Sequence, residues 1–240
     1  MEANAGTKPV AESHAFDVGA LQTYLTEHLD GFRGPLSVKQ FRGGQSNPTY
    51  LLETPHQHYV LRRKPPGELL ASAHAVDREY RVLAALSEFP VPVPRVFALC
   101  EDAAVIGTAF YVMQHVAGRI VWDSALPEVP PDARRMHFEA MNAALASLHN
   151  VDYRAAGLAD FGRAEGYIAR QVSRWSKQYM ADSDAGRIGA MDRLVEWLPA
   201  HLPESSAVAV VHGDYRIDNL VFHPTEPRVL AILDWELATI

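Results

Sequence analysis

An α+β chain in two lobes, an antiparallel sheet with a helix followed by a mostly helical half, is the architecture this sequence predicts. Three observations carry it. Segments of strand length and alternating hydrophobicity crowd the first half, at 38–42, 49–53, 59–64, 96–100 and 109–113. Beyond Asp132 the apolar residues recur at helical spacing, at 136–149, 166–179 and 188–198. Near the C-terminus two short apolar runs, 207–211 and 229–233, expected to be buried strands, stand beside acids, Asp214 and Asp234. The change of composition at 114–118 divides the chain into 1–115, the sheet-forming lobe, and 116–240, the helical one.

Taken in order, residues 1–15 are small and polar and are expected to form a frayed tail. Asp17 is placed to cap an amphipathic helix over 18–29, which Gly31 and Gly34-Pro35 end. Between the first two strands lies Gly43-Gly44-Gln45-Ser46-Asn47-Pro48, a turn whose backbone N–H groups can approach a phosphate, although any hairpin turn has this composition. The third strand becomes cationic at Arg62. A helix over 74–86 follows, with Glu79 beside its apolar stripe. Such a pair is either an ordinary surface ion pair or an anchor for nucleotide phosphates. His149 reads as an end-of-helix or core histidine. In the helix over 166–179, Ile168, Val172, Trp175 and Tyr179 share an apolar face expected to be buried, and Arg170, Arg174 and Lys177 share a basic one that is either a solvated stripe or an anion-binding wall.

Composition narrows the function. With 48% hydrophobic residues in 240, the chain can build a core, and disorder is not expected. A net charge of −7 argues against a general nucleic-acid binder. The one cysteine, Cys100, excludes an internal disulfide framework and reads as a small buried hydrophobe. No apolar run approaches the roughly 20 residues that span a bilayer, and the N-terminus lacks an apolar signal core. A cytoplasmic location without membrane partners is the expectation.

The densest chemistry lies in His212-Gly213-Asp214-Tyr215-Arg216-Ile217-Asp218-Asn219, followed by Leu233-Asp234-Trp235-Glu236. Asp and Asn are common turn residues, so each alone says little. Two acids and an amide at the ends of apolar runs are another matter. They suit phosphoryl transfer with ATP and magnesium, in which one carboxylate orients a hydroxyl while an amide and a second carboxylate hold the metal.

On these residues the chain resembles the aminoglycoside-phosphotransferase-like branch of the protein-kinase-like fold. Within it, the resemblance is to the group that includes the kinase-like domain fused to acyl-CoA dehydrogenase in animals and its stand-alone bacterial relatives. It covers residues 38–240 and includes Gly43-Gly-Gln-Ser-Asn-Pro-Thr-Tyr50, Val60-Leu-Arg62, His74-Ala-Val-Asp-Arg-Glu-Tyr80, Gly157-Leu-Ala-Asp-Phe-Gly-Arg163 and Arg170-Gln-Val-Ser-Arg-Trp175. It implies that Asp214 handles the acceptor's proton and that Asn219 and Asp234 bind magnesium. Arg62 with Glu79 would hold the phosphates of ATP, which Gly43, Gly44, Gln45, Ser46 and Asn47 would cover. Gln114, His115 and Val116 would meet the adenine. Arg62 departs from the lysine of many kinases, and Trp235 from the usual Phe. The family pattern also runs on past Ile240 with helices that complete the acceptor site, so the sequence reads as a fragment.

For the acceptor, a small-molecule hydroxyl compound, Arg170, Arg174 and Lys177 point to an anion such as a hydroxy acid or hydroxyacyl-CoA. An aminoglycoside and a nucleotide-binding regulatory module without turnover are the alternatives. A metal hydrolase using His212, Asp214, His223 and Asp234 fits poorly, because no tight pair of ligand histidines lies on a helix.

Overall fold

The structure, a computed structural model, describes residues 6–43, 47–65, 75–184, 186–204 and 207–240. Its elements run β1 (Thr7–Lys8), α1 (Val18–His28), β2 (Ser37–Phe41), β3 (Thr49–Glu53), β4 (His58–Arg63), α2 (Val76–Leu86), β5 (Val96–Cys100), α3 (Ala103–Ile106), β6 (Phe110–Gln114) and β7 (Arg119–Ile120). There follow α4 (Pro131–His149), α5 (Tyr167–Ala181), α6 (Gly189–Trp197), β8 (Leu220–Phe222) and β9 (Val229–Ile232). The architecture is α+β. An antiparallel six-stranded sheet, ordered β1-β2-β3-β4-β6-β5, takes up the first half, and β7, β8 and β9 form a small sheet among the later helices.

The central strand β4 explains how one arginine comes to serve the site. Side chains alternate across a strand, so Arg62 and Arg63, both buried, go to opposite faces. Arg63 donates to the Tyr50 hydroxyl at 3.1 Å, to the Ile106 carbonyl at 3.2 Å and to the His14 carbonyl at 3.0 Å. Arg62 is left for the other face, where α2 packs against β5 and β6. The sheet face toward α1 buries Leu21, Leu25, Tyr50, Leu52 and Leu61, while the α2 side is continuous with the core around Leu148, Phe222 and Trp235.

Three expectations need correction. The first concerns residues 7–14, which do not fray: Thr7 and Lys8 pair with Phe41 and Gln40, and the His14 carbonyl is tied down by Arg63 and by the Tyr50 hydroxyl at 3.0 Å. Local composition could not reveal contacts made so far along the chain. The run 208–211 is not a strand, since only Val211 pairs, with Thr239. Finally, the apolar face of α5 is not core. No residue of α5 is buried and Trp175 is 54% exposed; the helix meets the turn Leu198–Ala200 and, through the Tyr179 hydroxyl, Asp192 of α6 at 2.9 Å. Elsewhere the local reading holds: the Asp17 carboxylate caps α1 by accepting from the Ala20 N–H at 3.0 Å, Cys100 is buried, and His149 ends α4.

Candidate active site

Two short strands and two turns bring the polar residues together. β8 and β9 pair antiparallel, with Leu220 opposite Ile232, and the Leu233 N–H donates to the Asn219 carbonyl at 2.8 Å. Asn219, just before β8, therefore lies beside Asp234, just after β9. The Asn219 amide nitrogen reaches back to Asp214, donating to its carbonyl at 2.9 Å and its carboxylate at 3.2 Å. Buried His212 braces the two turns. Its Nε2 lies 2.9 Å from the Leu233 carbonyl, an acceptor only, so that nitrogen carries the proton and Nδ1 accepts from the Asp214 N–H at 3.3 Å. Burial holds the His212 pKa below its ordinary value, which keeps the ring neutral.

The backbone meets unusual demands here. Gly213 has φ 89°, and a Cβ there would stand 2.4 Å from the Leu237 carbonyl oxygen, so only glycine fits between His212 and Asp214. Asp234 itself adopts φ 66°, a left-handed conformation rare outside glycine and tolerated best by Asn and Asp. Such strain persists where neighbours over-determine it. Trp235 is one of those neighbours: it is fully buried, stacks edge-on against His212 at 4.7 Å, and donates its indole N–H to the Ile232 carbonyl at 2.9 Å.

Arg62 enters from the sheet side. Its Nη2 contacts Asp234 at 2.5 Å and Glu236 at 3.4 Å, and its Nε lies 3.2 Å from Glu79. Glu79, wholly buried, also accepts from the Tyr111 hydroxyl at 2.9 Å and the Asn47 amide at 3.0 Å. Asn47 in turn reaches Glu236 at 3.4 Å. Burial opposes the charge on Arg62, yet Glu79, Tyr111 and Asp234 hold its pKa well above the ordinary value. Burial likewise pushes the Glu79 carboxyl up to about 7; Arg62 pulls the other way, and the charges of Asp234 and Glu236 reinforce the rise. One guanidinium shared by three carboxylates cannot compensate each fully.

Among the described residues the charge balance around Arg62 is three acids to one cation. The fully buried Asn47 side-chain oxygen has no hydrogen-bond partner among them either. Asn219 spends its amide nitrogen on Asp214, so its oxygen is the atom free to face a cation. An oxygen-donor set short of positive charge fits magnesium, which is commonly held by one or two protein groups together with substrate phosphates. No cluster of three or more His, Cys, Asp or Glu suited to a metal occurs among the described residues, and magnesium on a nucleotide does not require one.

The other anticipated residues are distributed as follows. Gly43 precedes Gly44, Gln45 and Ser46, which lie outside the described residues. Gln114 ends β6, and its side chain accepts from the Arg95 N–H at 3.3 Å. His115 and Val116 follow in the passage between the two sheets; burial, helped by His58, lowers the His115 pKa. Arg170, Arg174 and Lys177 line a surface depression of about 540 Å³ on α5, which shares no lining residue with the cavity beside Asp214. The Arg170 guanidinium is turned back onto the carbonyls of Arg163 and Glu165.

Several members of the site escaped sequence reasoning. Glu236 had a weak signal, since it lies two residues from Asp234 in the turn that follows β9. Tyr111 had none, because a strand tyrosine reads as core. A cavity of about 400 Å³ follows Asp214, lined by Trp122, Phe138, Met141, Tyr215, Arg216 and Asp218 among others, and its walls come from three separate segments. Arg216 reaches Asp214 at 3.3 Å and Asp218 at 3.0 Å.

A sheet with an inward arginine and helix glutamate, facing a small hairpin that gathers two aspartates and an asparagine, defines a phosphotransferase of the kinase-like class. The chain belongs to the phosphotransferase enzyme family (APH), whose pattern matches residues 37–240. It is 51% identical over 244 residues to acyl-CoA dehydrogenase family member 11 of Gallus gallus, covering 100% of this chain and 31% of that one. With family member 10 of Mus musculus it is 47% identical over 235 residues, covering 98% of this chain and 22% of that protein. The chain thus spans a third or less of the length of these curated relatives. Among solved structures, a Ralstonia eutropha protein classed with the aminoglycoside phosphotransferases superposes with a TM-score of 0.83 at 52% identity, covering 94% of this chain and 66% of its own. An aminoglycoside-3'-phosphotransferase of type VIII shares the fold, with a TM-score of 0.60 at 22% identity over 92% of this chain and 77% of that one.

Proposed function

We propose that this chain transfers a phosphoryl group from magnesium-bound ATP to the hydroxyl of a small anionic acceptor, such as a hydroxy acid or hydroxyacyl-CoA. The observation that carries the reading is the tie of Asp214 to Asn219, with Asn219 set beside Asp234 across the β8–β9 ladder. Asp214, its carboxylate 39% exposed, accepts the acceptor's proton. Asn219 and Asp234 supply the oxygen ligands for magnesium, which neutralises charge on the transferring phosphoryl group when bound. Arg62, fixed by Glu79, serves the phosphates together with Gly43 and Asn47, and Gln114, His115 and Val116 serve the adenine.

The cavity beside Asp214 supports an acceptor with an apolar body, since Trp122, Phe138 and Met141 form its walls. Its charged members, Arg216 and Asp218, are paired with each other, so among the described residues its lining presents no unpaired carboxylate to a polycation. Arg174 and Lys177 on α5 suit a more distant anionic group of the same molecule. One observation favours the reading without turnover: Arg62 already occupies Asp234 at 2.5 Å, so a metal must compete with it.

The test is ADP release with magnesium across a panel of hydroxyl acceptors, with 4-hydroxyacyl-CoA and kanamycin side by side. Turnover with the thioester and none with kanamycin is expected. Exclusive use of kanamycin ends the anionic assignment. Nucleotide-induced thermal stabilisation without ADP release from any acceptor establishes the regulatory alternative.

A further inference from the structure

Two sequence motifs remain unused by the site, the arginines of α2 and Gly157-Leu-Ala-Asp-Phe-Gly-Arg163, and the structure joins them. Arg78 Nη2 donates to the Phe161 carbonyl at 2.8 Å and to the Ala238 carbonyl at 3.3 Å. Its guanidinium carbon lies 4.2 Å from the centre of the Phe161 ring. Arg81, one turn on, donates to the Gly157 carbonyl at 2.9 Å and pairs with the Asp160 carboxylate. The motif itself is seated on the end of the chain, since a Cβ on Gly162 would stand 2.2 Å from the Thr239 hydroxyl and 2.6 Å from the Ile240 nitrogen.

These contacts connect the two halves of the site. Arg78 precedes Glu79, the partner of Arg62. Ala238 lies two residues beyond Glu236, and Thr239 pairs with Val211, three residues before Asp214. One guanidinium therefore joins the helix that carries Glu79 to the segment that links both acid-bearing turns. Ala75 offers the first turn of α2 no side-chain cap, so the Arg78 bonds are tertiary anchors at the end of the helix that lacks one. Phe161 and Ala238 are buried, so the carbonyls that receive Arg78 belong to packed backbone.

We infer that Arg78, seconded by Arg81, is a positioning residue that holds Arg62 and Glu79 in register with Asp234 and Glu236. Its consequence for catalysis rests on the phosphotransferase reading; its mechanical part does not. Arg78 stacks and donates at once through a planar fork, which a lysine cannot reproduce. The pair at Arg81 and Asp160 is more exposed and contributes less.

Arg78→Lys and Arg78→Ala are compared with wild type and with Arg135→Ala, which breaks an exposed ion pair with Glu139 on α4. The readouts are kinetics and amide hydrogen exchange. Loss of a charge-assisted bond sets the expected scale, so exchange should accelerate about tenfold in 76–82 and in 235–239 together. On the same scale kcat/KM for magnesium ATP should fall about tenfold in Arg78→Lys while the acceptor KM stays within about twofold. Arg135→Ala should change neither. Acceleration confined to α2, or none in Arg78→Lys, overturns the proposal whatever the kinetics; so does a change in acceptor KM alone. If Arg78→Ala does not fold, Arg78→Lys decides. Absence of ADP release by wild type defeats the phosphotransferase reading instead, and exchange then still decides whether Arg78 couples the two segments.

Discussion

Glu79→Gln isolates the electrostatics of the buried cluster. The substitution keeps the shape of the side chain and removes its charge. In the folded protein the carboxyl titrates at about 7, against 4.5 for an unperturbed glutamate, with burial as the main cause. The folded state therefore holds this proton more tightly than the unfolded state. Its contribution to stability is fully present below about 4.5 and is lost as pH rises through about 7. Linkage over that interval gives a loss of about 2 kcal/mol between pH 5 and 7.5. Glu79 has no solvent exposure, so screening does not reduce the figure. Urea unfolding of both proteins at several pH values is the assay. The glutamine variant should gain about 2 kcal/mol on wild type across the interval. A difference that is flat, or that moves against the variant as pH rises, would mean that Arg62 compensates Glu79 completely and would refute the reasoning.

Other perturbations test other parts of the account. Gly213→Ala forces a Cβ against the Leu237 carbonyl in a left-handed backbone, and should lower stability by at least about 2 kcal/mol in urea titrations. Arg63→Ala strands the buried Ile106 carbonyl, leaves the His14 carbonyl to the Tyr50 hydroxyl alone, and should cost about 3 kcal/mol; its exchange pattern should show 7–14 released from the sheet. Phe138→Ala removes an apolar wall of the cavity beside Asp214. The acceptor KM should rise about tenfold with KM for ATP unchanged, as steady-state kinetics with each substrate varied would show.

What the sequence disclosed follows from the range of the contacts involved. The α1 cap at Asp17 and the strand Thr49–Glu53 depend on neighbours in the chain, and local pattern was enough. The meeting of Asp214, Asn219 and Asp234 was also legible, because a short hairpin between apolar strands leaves few other arrangements. Glu236 was harder. Its role at Arg62 spans 174 positions of sequence, and a charged residue in a turn ordinarily reads as solvated. Asn47 belongs to a loop whose glycines drew attention to the backbone, yet its side chain is what ties Glu79 to Glu236. The apolar face of α5 misled for the opposite reason: periodicity reports which residues could pack, and this face meets no core. Walls assembled from Trp122, Phe138 and Tyr215 leave no local signature at all.

The most direct test of the central claim follows phosphoryl transfer from ATP to an acceptor hydroxyl, with wild type beside Asp214→Asn. Removing a proton acceptor while leaving Asn219 and Asp234 in place should lower kcat at least about 100-fold and leave the Kd for magnesium ATP within about threefold. Transfer at the wild-type rate by Asp214→Asn would contradict the account.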